Sequence, residues 1–252
     1  MLEPLLAAIR DAVLPLPPVC LWCGAADCRP LCPACHAAMM GAPGRRCCRC
    51  RRLLPWAPEL DGSPRCRPCR VFPPAFAGVT ALGPYQGLGR WTILTIKGRG
   101  ERALVGVLGE FLARRLEADA VIVDAVVPAV TDRRRARRRG FDLAVELAGH
   151  LARHLNRPLW ADALTRRRPT GAQSSLSGVA RRRNVRGAFA VPGPWRRNLG
   201  GRRVLLVDDV VSTGSTLDAA ARALLAGGAC GVWVAVLADN GLPRRRWDAA
   251  IG

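Results

Sequence analysis

Between residues 204 and 217 the chain reads V-L-L-V-D-D-V-V-S-T-G-S-T-L, and no other stretch narrows the choice of fold so far. Val204, Leu205, Leu206 and Val207 form a short continuous apolar run, the pattern of a buried strand. That strand is expected to end in two carboxylates, Asp208 and Asp209, after which Val210 and Val211 turn the chain into Ser212, Thr213, Gly214, Ser215 and Thr216. Residues 217–225 then carry apolar side chains at helical spacing. Backbone N–H groups of a small-residue loop feeding a helix N-terminus point donors at one spot, so a phosphate fits there and the hydroxyls add further donors. Two carboxylates touching that phosphate would repel it. They are better placed a sugar's length away, accepting hydrogen bonds from vicinal ribose hydroxyls, with Mg²⁺ beside the sugar reducing the repulsion. The stretch fits a ribose 5-phosphate. An ordinary capped helix after a buried strand would need one cap and no second acid.

The segment resembles the phosphoribosyl pyrophosphate (PRPP) signature of type I phosphoribosyltransferases. That resemblance implies that Asp208 and Asp209 hold the ribose hydroxyls and that Thr213, Gly214, Ser215 and Thr216 hold the 5-phosphate.

With 252 residues, half of them apolar, the chain is long enough for one sizeable domain plus a small one. The formal net charge is +20, and Lys97 is the only lysine among 39 basic residues. Such a surface attracts polyanions, whether DNA, RNA or pyrophosphate. A coding bias explains arginine over lysine but not the net charge.

Ten of the eleven cysteines fall between Cys20 and Cys69. They read C-L-W-C (Cys20, Cys23), C-P-A-C (Cys32, Cys35), C-C-R-C (Cys47, Cys48, Cys50) and C-R-P-C (Cys66, Cys69). Each C-x-x-C places two thiolates on one tight turn, and two such turns complete a tetrahedral Zn²⁺ site. Four knuckles make two structural zinc sites with every ligand position filled by sulfur. Sequential pairing, Cys20/Cys23 with Cys32/Cys35 and Cys47/Cys50 with Cys66/Cys69, closes the shortest loops; interleaved pairing stays open. Cys28 and Cys48 are expected to be spectators, and His36 a surface residue. Clamps of this kind belong to a reducing compartment, so a cytoplasmic protein is expected.

Residues 1–18 are expected to form an N-terminal amphipathic helix, with Leu2, Leu5, Leu6, Ile9 and Val13 on one face and Pro15, Pro17 and Pro18 closing it. Glu3, Arg10 and Asp11 interrupt the apolar run, so it reads neither as an export signal nor as a membrane insertion. The double zinc ribbon occupies 19–72, an α/β domain 78–240, and a basic tail 241–252. Within the α/β domain, strands are expected at 79–85, 120–127, 204–207 and 232–237, a short strand or extended piece at 158–164, and helices at 87–97, 102–116, 141–155 and 217–225. Strands alternating with helices imply a mostly parallel, Rossmann-like sheet that binds its ligand beyond the strand carboxyl ends. From Leu237 the chain reads L-A-D-N-G-L-P-R-R-R-W and five further residues, so an acceptor pocket would borrow from the N-terminal part.

Three more pieces are expected at those strand ends. Residues 128–140, P-A-V-T-D-R-R-R-A-R-R-R-G, gather six arginines, including Arg133, Arg138 and Arg139, which suit pyrophosphate or a nucleic-acid backbone. Residues 165–184 are long and polar, with Gln173, Arg182 and Asn184, and have the character of a lid. Lys97 puts a compact point charge in a chain that otherwise uses arginine.

These pieces together resemble the ComF family of bacterial proteins: the cysteine-rich N-terminus, Tyr85-x-Gly87-x-x-Arg90 leading to Lys97, R-G-F at 139–141, Gln173, Arg182-x-Asn184-Val185 with Phe189, and L-V-D-D-V-V-S-T-G. The chain departs from the family where Asp142 and Leu143 replace Asn and Gln, and where V-V-P-A-V replaces V-P-V-P. The resemblance implies a zinc-ribbon domain joined to a phosphoribosyltransferase fold. It further implies Mg²⁺-PRPP binding and a part in the uptake or handling of single-stranded DNA, with a competence helicase as partner. The alternative it implies is an active phosphoribosyltransferase that moves ribose 5-phosphate from PRPP to a base or amine.

Overall fold

A computed structural model of the chain describes residues 19–26, 28, 30–41, 44–54, 64–130, 140–167 and 187–240. The expected N-terminal helix, the basic tail, Arg133, Arg138, Arg139, Gln173, Arg182 and Asn184 lie outside the described residues. The chain divides into two units, Met1–Ala42 and Pro43–Gly252.

In the first unit, helix α1 (Pro33–Met40) begins at Cys32, whose thiol caps it by accepting from the Cys35 amide. Pro33 stands at the first helical position, where its missing N–H costs nothing. A Val19–Ala26 bridge closes the turn that carries Cys20 and Cys23.

The second unit opens with another cysteine turn, closed by an Arg46–Leu53 bridge, and a short helix α2 (Arg67–Val71). An α/β body follows. Its elements in chain order are β1 (Gly78–Pro84), α3 (Gly87–Arg99), α4 (Ala103–Ala118), β2 (Ala125–Pro128), α5 (Leu143–His154), β3 (Thr165–Arg166), β4 (Phe189–Ala190), α6 (Trp195–Leu199), β5 (Arg203–Val211), α7 (Ser215–Ala226) and β6 (Gly231–Asp239). Strands β1, β6, β5 and β2 pair in that order, every pairing parallel. β3 and β4 form a separate antiparallel pair at the two ends of the 168–186 segment.

Both faces of the sheet are covered, which is why its strands read as unbroken apolar runs rather than alternating ones. Side chains alternate across a strand. Val204, Leu206, Val232, Val234 and Val236 therefore share one face with Leu217, Ala220, Ala221 and Leu224 of α7. Leu205 and Val207, also fully buried, alternate to the face where α4 and α5 pack. Helix α5 supplies Leu143, Leu147 and Leu151 at helical spacing, and α4 supplies Leu104, Leu108 and Leu112, as their periodicity predicts.

The sheet accommodates one bulky outlier. The Trp233 ring lies over Gly78, where a Cβ would come within 2.4 Å of it. Its Nε1–H donates to buried Thr80 Oγ1 at 3.0 Å, and Thr80 donates in turn to Asp119 at 2.7 Å.

Two strand readings need correction. The second strand begins at Ala125 rather than 120, because the Val121 amide still closes α4 onto Leu116 and Ala120 sits in the left-handed region at φ 51. Pairing with β5 starts only at Ala125, opposite Val204, and Ile122 is exposed. The second correction concerns the acids. β5 does not end at Val207 but runs to Val211, so Asp208 and Asp209 lie within the strand. Neighbouring β6 is long enough to keep pairing there, Asp208 opposite Val236 and Val211 opposite Asp239.

Candidate functional site

At the carboxyl end of β5 the chain leaves the sheet through Ser212 and Thr213 and enters α7 at Gly214. Gly214 takes φ 72, a left-handed conformation that a side chain would strain. A Cβ at Gly214 would meet the Phe76 ring at 3.8 Å and Val211 at 3.9 Å. Thr213 Oγ1 donates to Ser215 Oγ at 3.1 Å, which ties the hydroxyls of the loop together at the positive end of the helix. Asp218 in the first turn accepts from the Ala75 amide at 2.7 Å and pairs with Arg222.

The two acids behave differently. Asp209 carries the ammonium of Lys97, delivered from the last turn of α3, with both side chains about a quarter exposed (24% and 23%). Asp208 accepts the Asp209 amide at 2.8 Å. Burial, with the Asp209 charge beside it, pushes the Asp208 carboxyl up from 3.8 to about 7. Asp142, the N-cap of α5, adds a smaller push in the same direction. A carboxylate in this position accepts the Asp209 amide and has lone pairs for further donors. Ribose hydroxyls would supply them, and a divalent cation would lower the carboxyl again, so the residues present fit a Mg²⁺-bound phosphoribosyl group.

The cysteines assemble into two groups of four, Cys20, Cys23, Cys32 and Cys35 in one unit and Cys47, Cys50, Cys66 and Cys69 in the other. This is the sequential pairing. Within each group all sulfurs lie within 4.8 Å of one another, with Cys23 and Cys32 at 3.7 Å and Cys50 and Cys66 at 3.6 Å. A tetrahedron with metal–sulfur bonds of about 2.3 Å has edges of about 3.8 Å, so both groups fit Zn²⁺. Burial opposes charge on Cys20, yet the amides of Cys23, Cys32 and Trp22 outweigh it and bring the thiol down to about 6. Hydrogen bonds from Cys50, Cys66 and Cys69 likewise hold Cys47 well below the ordinary thiol range. Cys28 turns its sulfur to the carbonyls of Ala25 and Ala26, and Cys48 is exposed.

Trp91 is exposed on α3, whereas Trp195 packs on the core and against Trp160 at 5.7 Å. Residues the motif reading passed over are Asp239, Arg46, Arg49, Arg51 and Phe76. Asp239 is the one buried carboxylate among the described residues, and it receives Arg46 at 3.1 Å and Arg51 at 2.9 Å. Its signal in the sequence was an acid closing an apolar run, as at Asp208, with arginines flanking Cys47 and Cys50.

Residues 142–251 match the phosphoribosyl transferase domain family. Over 74 residues the chain is 45% identical to the DNA utilization protein YhgH of Escherichia coli O157:H7, a stretch that is 29% of this chain and 31% of that protein. The same protein of Salmonella typhi is 40% identical over 74 residues, again 29% and 31% of the two chains. The chain thus aligns with about a third of the length of these curated relatives. Among solved structures it is similar to the glutamine PRPP amidotransferase from B. subtilis complexed with ADP and GMP (24% identity, 54% of this chain and 26% of that one, TM-score 0.37). It is also similar to the orotate phosphoribosyltransferase from Aeropyrum pernix (23% identity, 61% and 69%, TM-score 0.35).

Proposed function

We propose that this chain is a ComF-like, PRPP-binding factor in the handling of single-stranded DNA, a reading supported by the match of residues 142–251 to the phosphoribosyl transferase domain family and by the likeness to DNA utilization proteins. The observation that carries this reading is the arrangement at the carboxyl end of β5. Paired acids, one of them raised by desolvation and its neighbour's charge, are followed within one strand end and one glycine turn by the start of a helix.

In this reading Asp208 and Asp209 accept the ribose hydroxyls. The 5-phosphate sits on the 212–216 loop, over the N–H groups and hydroxyls of the α7 start. Lys97 pairs with Asp209, and its ammonium would be within the same site to offset pyrophosphate charge. The metal, when bound, neutralises charge between the diphosphate and the acids. Arg133, Arg138, Arg139, Gln173, Arg182 and Asn184 are the candidate ligands of the pyrophosphate. Two Zn²⁺ ions organise the cysteine-rich part.

The net charge of +20 supports the DNA side of the proposal, since phosphates neutralised by arginine release counterions whatever the base sequence. A competence-type helicase is the protein partner this role calls for, and the thiol-rich centres call for the reducing cytoplasm. Among the described residues no helix is long and apolar enough to cross a membrane.

Calorimetric titration with Mg²⁺-PRPP tests the site. The wild type binds, and Asp208→Asn with Asp209→Asn weakens binding at least tenfold. Undiminished affinity in the double variant would refute the assignment.

A further inference from the structure

The second cysteine centre touches the phosphate loop's supports from two sides. Its turn, from Cys47 to Cys50, is closed by the Arg51 amide on Cys47 O and the Cys47 amide on Arg52 O, both at 2.8 Å. That closure forces Arg51 to φ 60, unusual for a residue with a side chain. The result is directional. Arg46 and Arg51, flanking the turn, both reach the Asp239 carboxylate, and Arg46 also donates to Arg51 O at 3.2 Å. Asp239 is 1% exposed and stands opposite Val211, the last strand residue before the loop. The Asn240 amide donates to Val211 O at 2.9 Å, so the Asp239 end of β6 and the root of the loop are one hydrogen-bonded unit.

The second tether starts inside the same turn. Arg49 donates to Phe76 O at 2.7 Å. Phe76 is buried with its ring against the Gly214 position, and the preceding Ala75 amide donates to Asp218 on α7. One tether therefore ends at the entrance of the loop and the other at its glycine and the first turn of its helix.

We propose that Arg46, Arg51 and Asp239 are positioning residues for the 212–216 loop, and that metal in the Cys47/Cys50/Cys66/Cys69 centre sets how tightly that loop is held. The inference deepens the phosphoribosyl reading of the same site and rests on it for the identity of the ligand. Its physical basis is that the arginines have a fixed aim only while the cysteine turn is closed. A buried carboxylate that loses both guanidinium partners is left uncompensated and must draw water or move. Asp239 cannot move without dragging the strand end paired to Val211. A centre that looks purely structural would thus make phosphoribosyl affinity depend on zinc.

The test is hydrogen exchange of the 211–216 amides in the full chain, with zinc content and Mg²⁺-PRPP affinity measured alongside. Arg46→Gln with Arg51→Gln is expected to keep both zincs and leave strand β2 (Ala125–Pro128) as protected as before. Exchange at 211–216 should speed up at least tenfold and PRPP affinity fall at least tenfold. Arg46→Lys with Arg51→Lys, which keeps a cation on each side, should recover part of both. Cys69→Ala, which breaks the centre, should reproduce the loosened loop. Unchanged loop exchange in the glutamine variant would overturn the proposal, and unchanged exchange in a zinc-depleted Cys69→Ala would sever its link to metal. Should the glutamine variant not fold, Asp239→Asn replaces it, with wild-type loop exchange again the refuting result. If PRPP fails to bind the wild type, the ligand reading falls while loop exchange still decides the clamp.

Discussion

Replacing Asp208 by asparagine should make the ligand-free protein more stable while weakening its binding site. Asparagine has the same shape, and its Oδ1 can still accept the Asp209 amide that Asp208 accepts at 2.8 Å. What disappears is the cost of ionising a half-buried, desolvated acid beside another acid. That cost follows from the rise of the carboxyl from 3.8 to about 7. At about 1.36 kcal/mol per pH unit the ceiling is about 4 kcal/mol. Partial access of water to Asp208 and the Lys97 ammonium nearby reduce this, and we expect a gain of about 1–3 kcal/mol at pH 8. In a domain of this size that is a rise of roughly 3–10 °C in Tm. The sign fixes the pH window. The folded protein holds the Asp208 proton more tightly than the unfolded chain, so the wild type carries no penalty below 3.8, a growing one above it, and the full penalty beyond about 7. The advantage of asparagine should therefore shrink to roughly half at pH 5.5. Thermal unfolding of both proteins at pH 8 and pH 5.5, without PRPP and with zinc content checked, reads this directly. A variant no more stable than the wild type at pH 8, or a gain that ignores pH, would refute the electrostatic account of the site.

Elemental analysis should find about two zincs per chain. Cys47→Ser with Cys50→Ser should leave about one, and a count of two in that variant would overturn the assignment of the second centre. Single-stranded DNA should bind in a strongly salt-dependent way and survive the Asp208→Asn, Asp209→Asn double substitution, because backbone charge rather than the sugar site carries that contact. No binding at low salt would remove the DNA reading.

Local chemistry made much of this protein legible in advance. Two thiols with two residues between them sit on one tight turn and can share a metal ion, so the four C-x-x-C turns pointed to two centres, and short loops favoured the sequential grouping that the structure shows. Runs such as 204–207 and 232–237 have no polar phase, so they had to be covered on both faces, which only a parallel sheet between helices provides. The hydroxyl-rich turn around Gly214 declared a helix start because such residues have few other good places to be.

What the linear pattern could not carry was length of pairing and partners far along the chain. β5 extends past its acids because β6, over twenty residues later, offers pairing out to Asp239. Lys97 meets Asp209 across 112 residues, and Arg51 meets Asp239 across 188. Each arginine near the cysteines looked alike in a chain with so many of them. Only folding removed water from Asp239 and left Arg46 and Arg51 as its partners, because a carboxylate selects its cations when the sheet closes around it and not before.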